Sequence, residues 1–142
     1  GPNAAGHSVI DGQTAVVDLD RTAANKALVR GYIQTCLIER ALSHAPDFVD
    51  VGAFADHSAR FGGTWDGFAR AYAAADCPLS YQELFMMVGE GDFVATLNRA
   101  RWDGADLCQA DLFRLAAGRI VEHWEISEPV PPRAQWANSG KF

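Results

Sequence analysis

Several things are missing from these 142 residues, and each absence removes a class of protein. No apolar run approaches the ~18 residues that a membrane-spanning helix requires, so a membrane partner is not expected. Positive charge is not in excess: the formal net charge is −6, which argues against a nucleic-acid or acidic-membrane surface. The cysteines Cys36, Cys77 and Cys108 are odd in number and form no CxxC pair or zinc pattern. They read as three reduced thiols of a cytoplasmic protein. There is no internal repeat and no low-complexity segment. Hydrophobic residues make up 49% of the chain and charged residues 21%, values ordinary for one globular domain with a sizeable core.

Residues 1–20 are small and polar without a sustained period, and read as a flexible arm; Gly1-Pro2 has the look of a protease-cleavage remnant, and His7 reads as solvated. Asp20 or Thr22 can cap a helix running to about Ala41. Two adjacent rows, Leu28/Tyr32/Cys36 and Val29/Ile33/Leu37, give it a wide apolar stripe. A short helix over 42–52 follows. Ala53–Ala59 then reads as a strand, with Phe54, Asp56 and Ser58 on one side and Ala55, His57 and Ala59 on the other. Trp65–Ala75 reads as a third helix, ended by Cys77-Pro78.

After Pro78 the period changes from helical to alternating. Tyr81–Val88, Phe93–Trp102, Leu107–Leu115 and Arg119–Ser127 are predicted as four consecutive strands joined by tight turns, an antiparallel meander. Helices first and strands later make an α+β domain over residues 21–128, with helices covering one face of a curved sheet. The prolines of the 129–142 tail forbid a central strand. That tail should run extended on the surface or on a partner subunit, with Trp136 and Phe142 under apolar cover.

The last two strands carry the chemistry. Ala116-Ala117-Gly118 fits a three-residue hairpin loop with Gly118 left-handed. That register pairs Phe113 with Val121, Asp111 with His123 and Gln109 with Glu125, and all six share one face. Ala110, Leu112, Ile120, Trp124 and Ile126 fall on the other. Acids buried on a strand are costly, so the polar face suggests a cavity wall, and the apolar face suggests a homodimer interface. A slip of one residue would bring Trp124 inward and His123 outward.

Asp111-Leu-Phe-Arg, then Gly118-Arg-Ile-Val-Glu-His-Trp-Glu125, then the Pro-Pro-Arg…Trp…Gly-Lys-Phe ending, together with Asn25-Lys-Ala-Leu-Val-Arg30, resemble the SnoaL-like polyketide cyclase family. Within it they are similar to the bacterial branch predicted to catalyse aldol condensation. The resemblance covers roughly residues 22–142 and implies a nuclear transport factor 2-like cone. The branch commonly carries Tyr-Ile-Gln-His-Asn-Pro on its first strand, where this chain has Phe54-Ala-Asp-His-Ser-Ala59. His57 is kept; Glu125 stands where Asp is usual.

What the resemblance implies is a cofactor-free cyclase or isomerase using general acid–base, enolate chemistry on a polyketide-like or other polycarbonyl small molecule, with no metal. The catalytic candidates are His57, Asp111, His123 and Glu125. Asp111 would donate as a protonated acid, as an acid does in ketosteroid isomerase, with His57 or Glu125 as base. Tyr32, Trp65, Arg99, Trp102, Phe113 and Trp124 are candidates for contact with substrate. Structural readings compete with each role. Asp111–His123 could be a satisfied buried pair, Glu125 a solvated acid, His57 a hydrogen-bond bridge, and Tyr32, Trp65 and Trp102 plain core. His57, His123 and an acid could also hold a divalent metal. Two other functions stay open: a non-catalytic small-molecule binder, and a dehydratase or epoxide-opening hydrolase that would use Arg99 or Arg101 beside an acid.

Overall fold

Val29, Tyr32, Ile33, Cys36 and Leu37 bury the predicted apolar stripe in a computed structural model that describes residues 1–142. The helix carrying them, α1 (Thr22–Tyr32), continues through a wider π-helical segment, Ile33–Ile38. The region expected as a second helix is one short 3₁₀ segment, Leu42–Asp47, interrupted by Pro46. Helix α2 (Trp65–Ala73) is capped by Thr64, whose hydroxyl accepts from the Gly67 N–H at 3.1 Å. It buries Trp65, Phe68 and Tyr72.

The expected first strand shrinks to two residues, β1 (Ala55–Asp56). The meander is as anticipated and slightly longer: β2 (Leu79–Glu90), β3 (Phe93–Trp102), β4 (Ala105–Ala116) and β5 (Arg119–Pro129). Strand order is β1-β5-β4-β3-β2, and β1 runs parallel to β5. The chain is therefore α+β, with the helices packed on the inner face of a curved, unclosed sheet. The apolar core fills the space between them.

Two details of the last hairpin differ from expectation. The loop has two residues, Ala117 (φ 50°) and Gly118 (φ 75°), and Ala116 pairs with Arg119. Two positive φ values are what a tight turn matching the strand twist needs. A bulge then places Val121 between the pairs Leu115↔Ile120 and Arg114↔Glu122. Beyond it Phe113 pairs with His123 and Asp111 with Glu125. The expected pairing of Asp111 with His123 is thus corrected by two residues. A shift of two keeps every side chain on its face, so Gln109, Asp111, Phe113, His123 and Glu125 still face inward. Ile120 lies before the bulge and moves to the core, fully buried beside Leu115.

Residues 1–18 lie over the outer face of the sheet, where the Asp92 N–H donates to the Val17 carbonyl, the Val17 N–H donates to the Asp92 carboxylate, and Asn3 Nδ2 donates to the carbonyls of Asp56 and Ser58. The tail ends against the same face: the Phe142 ring packs on Phe85 at 5.3 Å, and Arg99 lies 4.8 Å over it.

Candidate active site

The inner face of the sheet carries Asp56, Ser58, Tyr81, Thr96, Asn98, Gln109, Asp111, His123 and Glu125, all buried. Strand alternation puts them there: Thr96, Asn98, Gln109 and Asp111 occupy alternate positions of β3 and β4, and His123 and Glu125 those of β5. β1 adds Asp56 through its parallel pairing with His123.

Asp111 is the hub. It accepts from Tyr81 Oη at 3.0 Å to each oxygen, Asn98 Nδ2 at 2.9 Å, Gln109 Nε2 at 3.1 Å and His123 Nε2 at 2.8 Å. Four converging donors are the surroundings of an ionised acceptor; a protonated Asp111 would have to displace one of them to donate. The other nitrogen of His123 lies 3.0 Å from Asp56 Oδ1. Burial opposes charge on His123. Hydrogen bonds and attraction from Asp111 and Asp56 outweigh it and raise the imidazole pKa well above its ordinary value. An imidazolium donating from both nitrogens fits both distances. Burial and the adjacent Asp111 hold the Tyr81 phenol well above the usual range, so Tyr81 is the donor of its pair.

Glu125 occupies the edge of the network. Gln109 Nε2 donates to it at 2.6 Å, Ser58 Oγ at 2.7 Å, and Arg60 Nε lies 3.4 Å away. Burial, with the negative Asp111, raises its pKa against the pull of His123, Ser58 and Arg60. Arg60 is partly exposed; its guanidinium lies 4.6 Å over the Trp102 ring and also meets Ser127 Oγ. Asp56 Oδ2, Asn98 Oδ1 and Gln109 Oε1 are buried acceptors without a protein donor.

An apolar cap covers this network. The Phe113 ring stacks 5.0 Å from His123, and Phe54 lies on it at 6.4 Å. Tyr32 meets Phe113 at 5.8 Å and Trp65 at 6.3 Å. Of the expected residues, Asp111, His123 and Glu125 come together, with Tyr32, Trp65 and Phe113 above them and Trp102 beside Arg60. Their carboxylate and imidazole atoms lie within 4.8 Å of one another, close enough to share a cation.

His57, Trp124 and Arg99 are elsewhere. His57 points through the other side of β1, against the expectation that it closes the same wall. Its Nε2 is 2.8 Å from Glu122 Oε1, and its ring stacks on Trp124 at 4.5 Å on the outer face. The same alternation that turns Asp56 inward turns His57 outward. Arg99 and Arg101 pair with Glu83 and Asp106 beside an outer groove of about 380 Å³ walled by Trp136 and Phe142, so neither reaches an inner acid. Sequence reasoning placed Gln109 on this face without giving it a role, and missed Asp56, Ser58, Arg60, Tyr81 and Asn98 as members of the site. Their one sequence signal is shared parity with Asp111 on alternating strands, and Arg60 lacks even that.

No protein-family model matches the sequence, and no curated protein is similar to it. Solved structures are. A protein of Kribbella flavida designated a ketosteroid isomerase superposes with a TM-score of 0.64 at 16% identity, over 86% of this chain and 93% of that one. An LEH-like epoxide hydrolase of M. tuberculosis gives 0.62 at 10% identity, over 76% and 85%. A protein of Streptomyces antibioticus designated a polyketide cyclase gives 0.59 at 18% identity, over 73% and 91%. Others are described only as nuclear transport factor 2-like. At such identities the likeness concerns architecture, and by architecture this chain is a nuclear transport factor 2-like cone.

Proposed function

We propose that the chain is an acid–base enzyme, an isomerase or cyclase, acting on a small molecule whose C–H bond is activated by a carbonyl. The observation that carries this reading is the Asp111 hub: four donors converge on one carboxylate beneath an aromatic cap. Burying so many polar groups is expensive, and a purely structural core has cheaper solutions. Glu125, raised by burial and next to the partly exposed Arg60, is the proton carrier. It takes the proton from carbon. The enolate oxygen takes over the Tyr81 O–H, which turns away from Asp111 while Asn98, Gln109 and the His123 imidazolium go on donating to that carboxylate. In an isomerisation Glu125 returns the proton to a different carbon. In an aldol ring closure the enolate carbon attacks a second carbonyl, and the resulting alkoxide takes the proton back. Polycarbonyl compounds of polyketide type satisfy both needs.

The test is hydrogen–deuterium exchange at the activated carbon of a β-diketone panel, followed by NMR in D₂O. Wild-type protein should accelerate exchange, and Glu125→Gln and Asp111→Asn should each lose at least about 100-fold, the scale of general acid–base catalysis. Exchange within about threefold of wild type in both variants would sink the assignment. A second reading, a non-catalytic binder, draws support from the outer groove of about 380 Å³ by Arg99, Arg101 and Trp136, away from the cluster. Binding of the panel compounds with no exchange would favour it.

The same reading includes a homodimer through the outer sheet face. Met86, Leu97, Ala110 and Ile126 form a transverse apolar row across β2, β3, β4 and β5. Met86 is 54% exposed and Ile126 69%. Leu97 and Ala110 between them are half-buried, and an apolar row of this kind is a typical contact surface.

A further inference from the structure

We propose that His7, Asp11 and His57 form a binding site for a divalent transition metal of the Zn²⁺ class, one that clamps the N-terminal arm to the outer face of the sheet. It is separate from the inner cluster, which lies on the other side of β1 and β5.

The ligand atoms of these three side chains lie within 4.8 Å of one another. His57 is 2% exposed and fixed on both sides. Its Nδ1 is 2.6 Å from Asp11 Oδ1 and 2.9 Å from the Ser8 carbonyl; its Nε2 is 2.8 Å from Glu122 Oε1. The His7 ring is centred 4.9 Å from that of His57. Three oxygen acceptors therefore surround one imidazole. Glu122 is in turn held by Arg114 Nε at 2.6 Å.

This is the arrangement of a metal-binding histidine. One nitrogen faces a donor set while the other gives its N–H to an anchored carboxylate, which fixes the tautomer and makes the ligating nitrogen more basic. Two imidazoles, one carboxylate and one carbonyl make a nitrogen–oxygen set of four, suited to Zn²⁺ and its neighbours rather than to Mg²⁺ or Ca²⁺. The step balances simply. The metal takes the Nδ1 lone pair, the proton held between Nδ1 and Asp11 leaves to solvent, and the proton on Nε2 stays on that nitrogen, donated to Glu122.

The arm is shaped to reach this place. Gly12, at φ +107°, passes so close that an added Cβ would lie 2.4 Å from Trp124 Cζ2 and 2.7 Å from Glu122 Oε1. The Trp124 indole N–H donates to the Asp11 carbonyl at 2.8 Å. Three of the four donors (His7, the Ser8 carbonyl and Asp11) come from the arm and one from the sheet. Metal binding would therefore order the arm as well as occupy it.

The experiment uses the full chain after treatment with a chelator. Titration with ZnCl₂ in a calorimeter, in two buffers of different ionisation enthalpy, should show one equivalent bound with release of a proton. His7→Ala and Asp11→Asn, both outside the core, should weaken binding at least tenfold with an unchanged circular dichroism spectrum. Glu125→Gln, which removes a possible ligand of the inner cluster, should bind as wild type does. Zn²⁺ should also slow protease cleavage before Leu19 at least fivefold. The proposal is overturned by absence of binding, by wild-type affinity in both arm variants, by loss in Glu125→Gln with His7→Ala unaffected, or by an arm cleaved equally fast with and without metal.

Discussion

Asp56 Oδ1 lies 3.0 Å from His123 Nδ1, across the parallel register that pairs these two residues on β1 and β5. One position along, His57 reaches Glu122 on the opposite face. Asp56-His57, at the end of β1, and Glu122-His123, on β5, each offer an acid and a histidine in sequence, and the alternation sorts them into one acid–imidazole pair per side of the sheet. The inner pair joins Asp111; the outer pair receives the arm.

The inner pair makes stability fall on the alkaline side. His123 holds its proton more tightly in the fold than in the unfolded chain, because Asp111 and Asp56 outweigh the opposing effect of burial. A raised folded pKa gives stability that is complete below the ordinary value of 6.5 and is lost as pH climbs through the folded value. Glu125, raised above its ordinary 4.5, acts with the same sign at lower pH. Urea midpoints should therefore drop as pH rises above the ordinary imidazole value. Asp56→Asn should shrink that drop. A midpoint that rises over this range would contradict the assignment.

Tyr81 is expected to matter for stability as well as for chemistry. Its hydroxyl is buried and bonded to both oxygens of Asp111. Tyr81→Phe removes a hydrogen bond to a charged acceptor, worth about 1.5–3 kcal/mol. Equilibrium unfolding would detect the loss, and a change below about 0.5 kcal/mol would mean that Asp111 finds another donor.

The hairpin turn offers a gain. Ala117 sits at φ 50°, in the left-handed region, where a Cβ costs roughly 1–2 kcal/mol. Ala117→Gly should relieve most of that strain, less the entropy that glycine adds to the unfolded chain. A net rise of about 0.5–1 kcal/mol in unfolding free energy is expected. Destabilisation would show that the Ala117 methyl makes contacts worth more than the strain.

Outer-face dimerisation has a direct test in light scattering. The chain should run as a dimer at micromolar concentration, and Ile126→Glu, with a charge placed at the exposed β5 end of the apolar row, should run as a monomer. A wild-type monomer would remove the dimer, and an unchanged dimer in the variant would move the interface elsewhere.

Much of the fold was readable before any coordinates. The change of period after Pro78 marks the passage from helices to the meander, and β3 falls at Phe93–Trp102 as anticipated. Turn residues at Gly91 and Asp103-Gly104 punctuate a strong alternating pattern, and such patterns depend only on local geometry. The face of Asp111, His123 and Glu125 was legible for the same reason: parity survives a two-residue error in pairing. The pairing itself was not legible. A favourable glycine at the end of Ala116-Ala117-Gly118 pointed to a three-residue loop, whereas the chain takes a two-residue loop with Ala117 in a costly conformation, and the bulge at Val121 resets the register.

The assembly of the site belongs to a different level. Alternation alone places Asp56 and His57 on opposite sides of their short strand, and nothing in Phe54–Ala59 tells which side faces the helices. A two-residue strand carries too little pattern to show it. That choice is made by the parallel contact with β5, 67 positions away from Asp56 in the chain. It turns Asp56 toward His123 and gives His57 to the arm. Sequence determined which residues could share a face, because strand geometry is local. Tertiary structure alone decided which face became the buried network, because that depends on where distant strands and helices meet.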